Sequence, residues 1–284
     1  SIVSVFGAYT AGVVAVVGRA VGARDLRRAN DTLAASLLFA VGIGLVVAAI
    51  SALGSGAVVG ALMGGELTSA EAERSAAAYL RLVMLGAPAY FVAVTGMTAL
   101  QASGDTRTPM GIAAIAGGVN VLASWTLVHG RFGLPELGLR GAAWGTMIAF
   151  SCEAVVLLAI LLRGRGGLSL AGARRPRALV AALRPVLDVS QAAFGEKVLY
   201  HLAFVASVAI VERLGDVALA AHESLIGIEA IGFTAAEGFA IAAAALVAQW
   251  LGRGDGDEAA KTGGTAAALA LGVALAFAAL LWAI

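Results

Sequence analysis

Glu196, Lys197, Tyr200 and His201 stand together in "FGEKVLYHLAF" (194–204), inside a run that is otherwise apolar. A carboxylate there can take up and release a proton, and it can also hold a cationic ligand. An acid in apolar surroundings keeps its proton more tightly than in water, because desolvation penalises the charged form. Proton and cation then compete for one negative charge, the least chemistry that an exchange of the two requires. Helical spacing places Tyr200 one turn beyond Glu196, on the same face and within hydrogen-bonding reach. Lys197 points about 100° away and could pair with a carboxylate on another helix; the plainer alternative is a static buried ion pair of Glu196 and Lys197. His201, at i+5, lies off the Glu196 stripe and either titrates near neutrality or packs.

Further polar groups lie in other apolar runs. Glu229 and Glu237 are eight residues apart, close to two helical turns, and could line one water-filled face. Glu153 in "AFSCEAVV" and Asn120 in "GGVNVLAS" are cavity candidates, Asn120 serving equally well as a helix–helix hydrogen bond. His222 and Glu223 fall near the outer end of a segment, and Gln101 and Gln249 at cytoplasmic ends. A catalytic centre is not expected. The lone Cys152 excludes an intrachain disulfide and gives no metal-site spacing. A nucleophile motif such as G-x-S-x-G is absent. Neither a cofactor nor a metal is expected.

The elements that must position these groups follow from composition. The 284 residues are 60% hydrophobic and 13% charged, with mean hydropathy +0.92. Soluble domains carry about 25% charged residues, so a soluble module is excluded, and a net charge of +1 gives no reason to expect nucleic acid. A membrane span needs about 20 mostly apolar residues. Eight segments qualify, roughly 2–18, 33–62, 77–101, 109–129, 141–162, 186–211, 217–250 and 265–284. They are too long and too little alternating for barrel strands. Their Ala, Gly and Val content favours close helix packing, so the fold class is an all-α polytopic membrane bundle.

Basic residues alternate from loop to loop. Arg19, Arg24, Arg27, Arg28, Arg107, Arg163, Arg165, Arg174, Arg175, Arg177, Arg184, Arg253 and Lys261 fall on one side; only Arg74, Arg131, Arg140 and Arg213 fall on the other. By the positive-inside bias, loops 19–32, 102–108, 163–185 and 251–264 are cytoplasmic, in an inner cell membrane. The stretch 163–185 reads as a linker ending in an interfacial helix. It separates an N-terminal bundle (1–164) from a C-terminal one (185–284), with the linker proper at 165–184. Both ends of the sequence lie in apolar runs, as expected for a piece of a longer protein.

"VVGRAVGARDLRRANDT" (16–32) matches "LVAQWLGRGDGDEAAKT" (246–262) at a constant offset of 230 residues, pairing Val17 with Val247, Gly22 with Gly252, Asp25 with Asp255, Ala29 with Ala259 and Thr32 with Thr262. Six segments separate the copies, so both face the same side and the repeats are parallel, an arrangement that secondary transporters use. In each copy the Gly is expected to end a helix. In "SGDTRTPM", Gly104 is expected to end a helix, Asp105 and Thr106 to cap the next, and Pro109 to occupy its first turn. Gly138 and Gly141 are expected to allow close packing at the opposite surface.

"LQASGDTRTPM" (100–110) followed by "GLPELGLRGAAWGT" (133–146), then "ERLGDVALAAHESL" (212–225) and "GFAIAAAALVAQWLGRGD" (238–255), resembles the multidrug and toxic compound extrusion (MATE) family in order and spacing. The resemblance implies that the eight segments correspond to helices two to nine of a twelve-helix antiporter built from two parallel six-helix repeats. It also implies coupling to protons or sodium, export of bulky amphipathic or cationic compounds by alternating access, lipid as surroundings and a monomeric state. Glu196 occupies the place of a family Glu that follows a helix-seven proline, but Ala192 stands at the proline position, leaving Gly195 to supply flexibility. Two other readings remain: a lipid-linked glycan flippase of the same superfamily, which would line its cavity with Arg and Lys where only Lys197 and Arg81 lie within segments, and a non-transporting scaffold.

Overall fold

A computed structural model describes residues 2–63, 70–171 and 176–283. The helices are α1 (Ile2–Gly22), α2 (Leu26–Met63), α3 (Ala70–Leu85), α4 (Ala87–Ala102), α5 (Arg107–His129), α6 (Leu139–Arg163), α7 (Pro176–Glu212), α8 (Asp216–Arg253) and α9 (Gly256–Ala283), with a 3-10 turn at Arg131–Gly133. Among the described residues the one strand-like pairing is a bridge between Arg165 and Leu168. Among the described residues six helices are long and apolar enough to cross a membrane, and Phe6–Gly22 forms a shorter apolar helix. The pair Arg74–Leu85 and Ala87–Ala102, bent by 47°, is long and apolar enough when taken together, as a broken span or a re-entrant loop. The sequence suggests one unbroken segment over 77–101. The break has a local cause: Pro88 has no N–H to donate and its ring crowds the carbonyl one turn back, so the chain turns at Gly86, whose N–H bonds to the Val83 carbonyl at 3.0 Å.

The connection after α6 also differs from expectation. Arg165 and Leu168 exchange two backbone hydrogen bonds of 2.9 Å, and Leu168 is fully buried. Residues 172–175, which include Arg174 and Arg175, lie outside the described part. The helix expected at the end of the linker is not a separate interfacial element. It is the start of α7, which runs through Pro185 without interruption to Glu212.

The helices divide into two compact units. Unit 2 (Leu33–Leu100, Asp105–Arg174) is held by small residues that admit a neighbour's backbone. A Cβ on Gly145 of α6 would overlap the Ser124 hydroxyl of α5, and one on Gly141 would lie 2.6 Å from the Leu127 carbonyl oxygen. Gly96 of α4 similarly receives Leu157 of α6. Gly138, by contrast, meets nothing within 4 Å and has φ +52°; its use is the turn into α6 rather than packing. The Asp105 side chain accepts the Thr108 N–H (3.0 Å) and hydroxyl (2.7 Å). Thr106 makes no side-chain cap, so the capping expected of both residues falls to Asp105 alone. Arg165 lies 3.5 Å from the same carboxylate. Burial raises the Asp105 pKa, but the two Thr108 bonds and Arg165 outweigh it, and the carboxyl is held below its ordinary value.

Unit 1 (Ser1–Thr32, Gln101–Gly104, Arg175–Ile284) packs α1 against both α7 and α8. On the α7 side, a Cβ at Gly12 would overlap the Val186 carbonyl and the Ser190 hydroxyl. Ser190 donates to the carbonyl of Val186 (2.7 Å) or of Tyr9 on α1 (3.3 Å). On the α8 side, a Cβ at Gly18 would come within 2.7 Å of the Ala248 Cβ, one at Gly22 would overlap the Gln249 carbonyl, and one at Gly252 would overlap the Arg19 carbonyl. These two glycines therefore serve the crossing. The helix ends themselves turn at Arg24 (φ +60°) and Gly254 (φ +82°), two residues later than the sequence suggests.

The repeat extends to individual hydrogen bonds. Asp25 N–H donates to Ala20 O (2.9 Å) as Asp255 N–H does to Trp250 O (3.1 Å), and Arg24 N–H to Val21 O (2.9 Å) as Gly254 N–H to Leu251 O (3.2 Å). The Asp25 carboxylate caps Arg28 N–H at 3.0 Å, and that of Asp255 caps Glu258 N–H at 3.0 Å. The Gly104–Asp105 turn is a third instance: Asp105 N–H donates to Leu100 O and Gly104 N–H to Gln101 O.

Candidate functional site

The middle of α7 is an amphipathic ladder within unit 1. Its buried stripe starts at Val186 and Ser190, the residues that receive α1, and continues at helical spacing through half-buried Ala193, Lys197 and His201. Glu196 and Tyr200 lie one position behind Lys197 and His201, on the adjacent exposed stripe. Helix geometry thus keeps the Glu196–Tyr200 pair apart from the Lys197–His201 pair, as the 100° step requires. His201 Nδ1 lies 2.8 Å from the Lys197 carbonyl; as its donor in a hydrogen bond it leaves Nε2 as the other ring nitrogen to act. The Tyr200 and His201 rings meet edge-on at 5.6 Å. Among the described residues no ion pair joins Glu196 to Lys197 and no hydrogen bond joins Glu196 to Tyr200.

The α8 candidates are exposed as well. Glu229 and Glu237 sit on one continuous helix with the eight-residue spacing intact. Between them Gly232 receives the Phe277 ring of α9. The side chain of Glu223 lies outside the described part. His222, which the sequence places at the outer end, is half-buried, and its Nε2 is shut off from solvent without a hydrogen-bond partner among the described residues.

In unit 2, Glu153 is half-buried on α6. The Tyr90 ring of α4 packs at 4.7 Å on Phe150, one turn before Glu153. Sequence reasoning missed Tyr90, because its partner Phe150 lies 60 residues away in the chain. Asn120 accepts a long hydrogen bond (3.4 Å) from Ser124, one turn on, so its contact is within its own helix.

Two further residues gain a place that the sequence does not give them: Asp188, which sequence reasoning passes over, and Gln249, which it sets at a cytoplasmic end without a role. Asp188 is exposed on α7, two turns before Glu196 and near the same face. Gln249 donates from Nε2 to the Ala102 carbonyl at 2.8 Å, satisfying one of the orphan carbonyls at the end of α4. No local signal marks such a bond, which spans 147 residues. Among the described residues no group of three or more His, Cys, Asp or Glu side chains is placed to hold a metal ion.

Comparison with known proteins places this architecture. The chain is 25% identical over 244 residues to a probable multidrug resistance protein NorM of Thermotoga maritima, covering 86% of this chain and 51% of the relative. It is 31% identical over 278 residues to a probable multidrug resistance protein NorM of Bradyrhizobium diazoefficiens, covering 93% of this chain and 56% of the relative. The chain thus spans about half the length of these curated relatives. A MOP superfamily transporter from Pyrococcus furiosus shares the fold at a TM-score of 0.80 and 19% identity, over 99% of this chain and 60% of that one. A multidrug resistance MATE family transporter solved in an outward-facing conformation does so at 0.79 and 20% identity, over the same shares. The MatE family model matches residues 1–126 and 192–284, one stretch in each repeat. The chain therefore belongs to the MatE family, the multidrug and toxic compound extrusion transporters, and is a multi-pass membrane protein of that fold.

Proposed function

We propose that the whole protein is a cation-coupled exporter of bulky, amphipathic or cationic compounds, working by alternating access, and that Glu196 carries the exchange. The observation behind this reading is a carboxylate in the middle of a membrane-length helix that, among the described residues, is held by no ion pair. Such a group is free to trade partners, whereas a paired one is not. Ionisable groups inside spans are rare and are kept for pathways and relays. A cationic substrate beside Glu196 favours its ionised form and expels its proton; a returning proton removes the charge that held the substrate. Tyr200, one turn on, can hydrogen-bond the carboxylate in either state. Glu229, Glu237 and Glu153 are further acids that a cavity could use, with Asn120, Lys197 and His201 shaping its polarity. Relatives named as multidrug resistance proteins support the substrate class. The bias in basic residues supports loops 19–32, 102–108, 163–185 and 251–264 in the cytoplasm of a cell with this transporter in its inner membrane. A monomer suffices for the mechanism.

The test uses the full-length protein in liposomes, with a pH or a sodium gradient imposed and export of a cationic dye followed. One gradient drives export, and Glu196→Gln lowers the rate at least tenfold while the thermal unfolding midpoint is kept. Wild-type export by the variant removes Glu196 from the mechanism. Failure of both gradients overturns the exporter reading.

A further inference from the structure

The crossing of α1 and α8 has a symmetry that goes beyond packing. Gly18 and Ala248, which touch, are equivalent under the 230-residue offset. So are Gly22 and Gly252, and so are Arg19 and Gln249. Gly22 receives the carbonyl of Gln249, and Gly252 receives the carbonyl of Arg19: one contact made twice, as across a two-fold axis running between Gly18 and Ala248. A self-complementary contact of this kind joins one patch to its own copy. Here the copies belong to different repeats of one chain.

We propose that this crossing is the cytoplasmic gate of the transport cycle, closed in this structure, with Gln249 as its latch. The inference rests on the alternating-access reading above. It lies in the last turns of α1 and α8, at the end that carries the basic loops. A motion that opens the two repeats at this end parts these two helices. The contact is suited to parting. At Gly18, Gly22 and Gly252 it is made by backbone and methyl groups. The Arg19 carbonyl already accepts the Ala23 N–H within its own turn (2.9 Å), so separation does not orphan it. The polar tie across α8 and α4 is the bond from Gln249 Nε2 to Ala102 O, and both ends can pass to water on opening.

The full-length protein with Cys152→Ala tests this. Spin labels go on Arg27→Cys and Asp257→Cys, equivalent exposed positions at the starts of α2 and α9. Their distance distribution is read by pulsed electron resonance. Gly22→Val and Gly252→Val wedge the crossing and move the main population to a longer distance; Gln249→Ala raises a longer minor population. Gly22→Ala takes the place of the valine variant if that one is not monodisperse in detergent. In a separate arm, Gly18→Cys with Ala248→Cys forms a disulfide once the helices ease apart by about 1 Å; oxidation lowers export at least tenfold and dithiothreitol restores it. An unchanged distance distribution in both wedge variants overturns the gate, as does undiminished export by the cross-linked protein. The distance measurement needs no transport, so a wild-type protein that shifts its distances but exports under neither gradient faults the exporter reading and leaves the gate standing.

Discussion

The turns at Arg24 and Gly254 are 230 residues apart and close with the same hydrogen bonds, yet the left-handed position holds an arginine in one and a glycine in the other. The turn at Gly104 is a third version, with glycine. The common element is the Asp that follows, whose carboxylate caps the next helix in all three. The comparison teaches that the Asp and the backbone bonds specify the turn. The residue before it decides only how much strain the turn carries, since a side chain in the left-handed region is disfavoured.

Substitutions can break or sharpen this comparison. The largest effect is expected at Asp105, which caps Thr108 twice and also meets Arg165: Asp105→Ala costs about 2 kcal/mol, read from denaturant unfolding in detergent. The same residue gives a pH dependence. Its folded pKa is lowered, so its stabilisation is complete above the ordinary carboxylate pKa and is lost as pH falls through the lower folded value. Acid unfolding of Asp105→Asn therefore loses part of its slope in that window. Equal slopes in variant and wild type would contradict the ion-pair account. Next comes Gly254→Ala, which places a Cβ in the left-handed turn at a cost of about 1 kcal/mol. The smallest effect has the opposite sign. Arg24→Gly relieves the same strain and stabilises by about 0.5 kcal/mol, measured as a rise in unfolding midpoint. A fall would show that the arginine side chain contributes more than its backbone strain costs.

The legible part of this protein was what composition and periodicity control. Eight apolar runs gave eight helical regions, and five matched pairs at one offset gave a repeat that persists to single hydrogen bonds. The rest depends on contacts distant in sequence. Gly22 and Gly252 look like helix ends because Gly commonly stops a helix; that they instead admit a neighbour's carbonyl is visible only when α1 and α8 are side by side. The bend at Gly86 is the local exception, marked by Pro88 within a run whose apolar pattern does not change, but the packing of Tyr90 on Phe150 is visible only when α4 and α6 are side by side. Glu196 and its neighbours were found because charge in an apolar run is conspicuous. Gln249, equally polar but near a helix end, was given no role, because polar groups are ordinary there.

The unbroken course of α7 has a mechanical consequence. Its 37 residues span about 55 Å. Pro185, which has no N–H to donate to the turn before it, is the compliant point of that length: a tilt of about 5° there becomes a sweep of about 4 Å at Glu212. Glu196, beyond the proline on the same helix, rides on the swinging part.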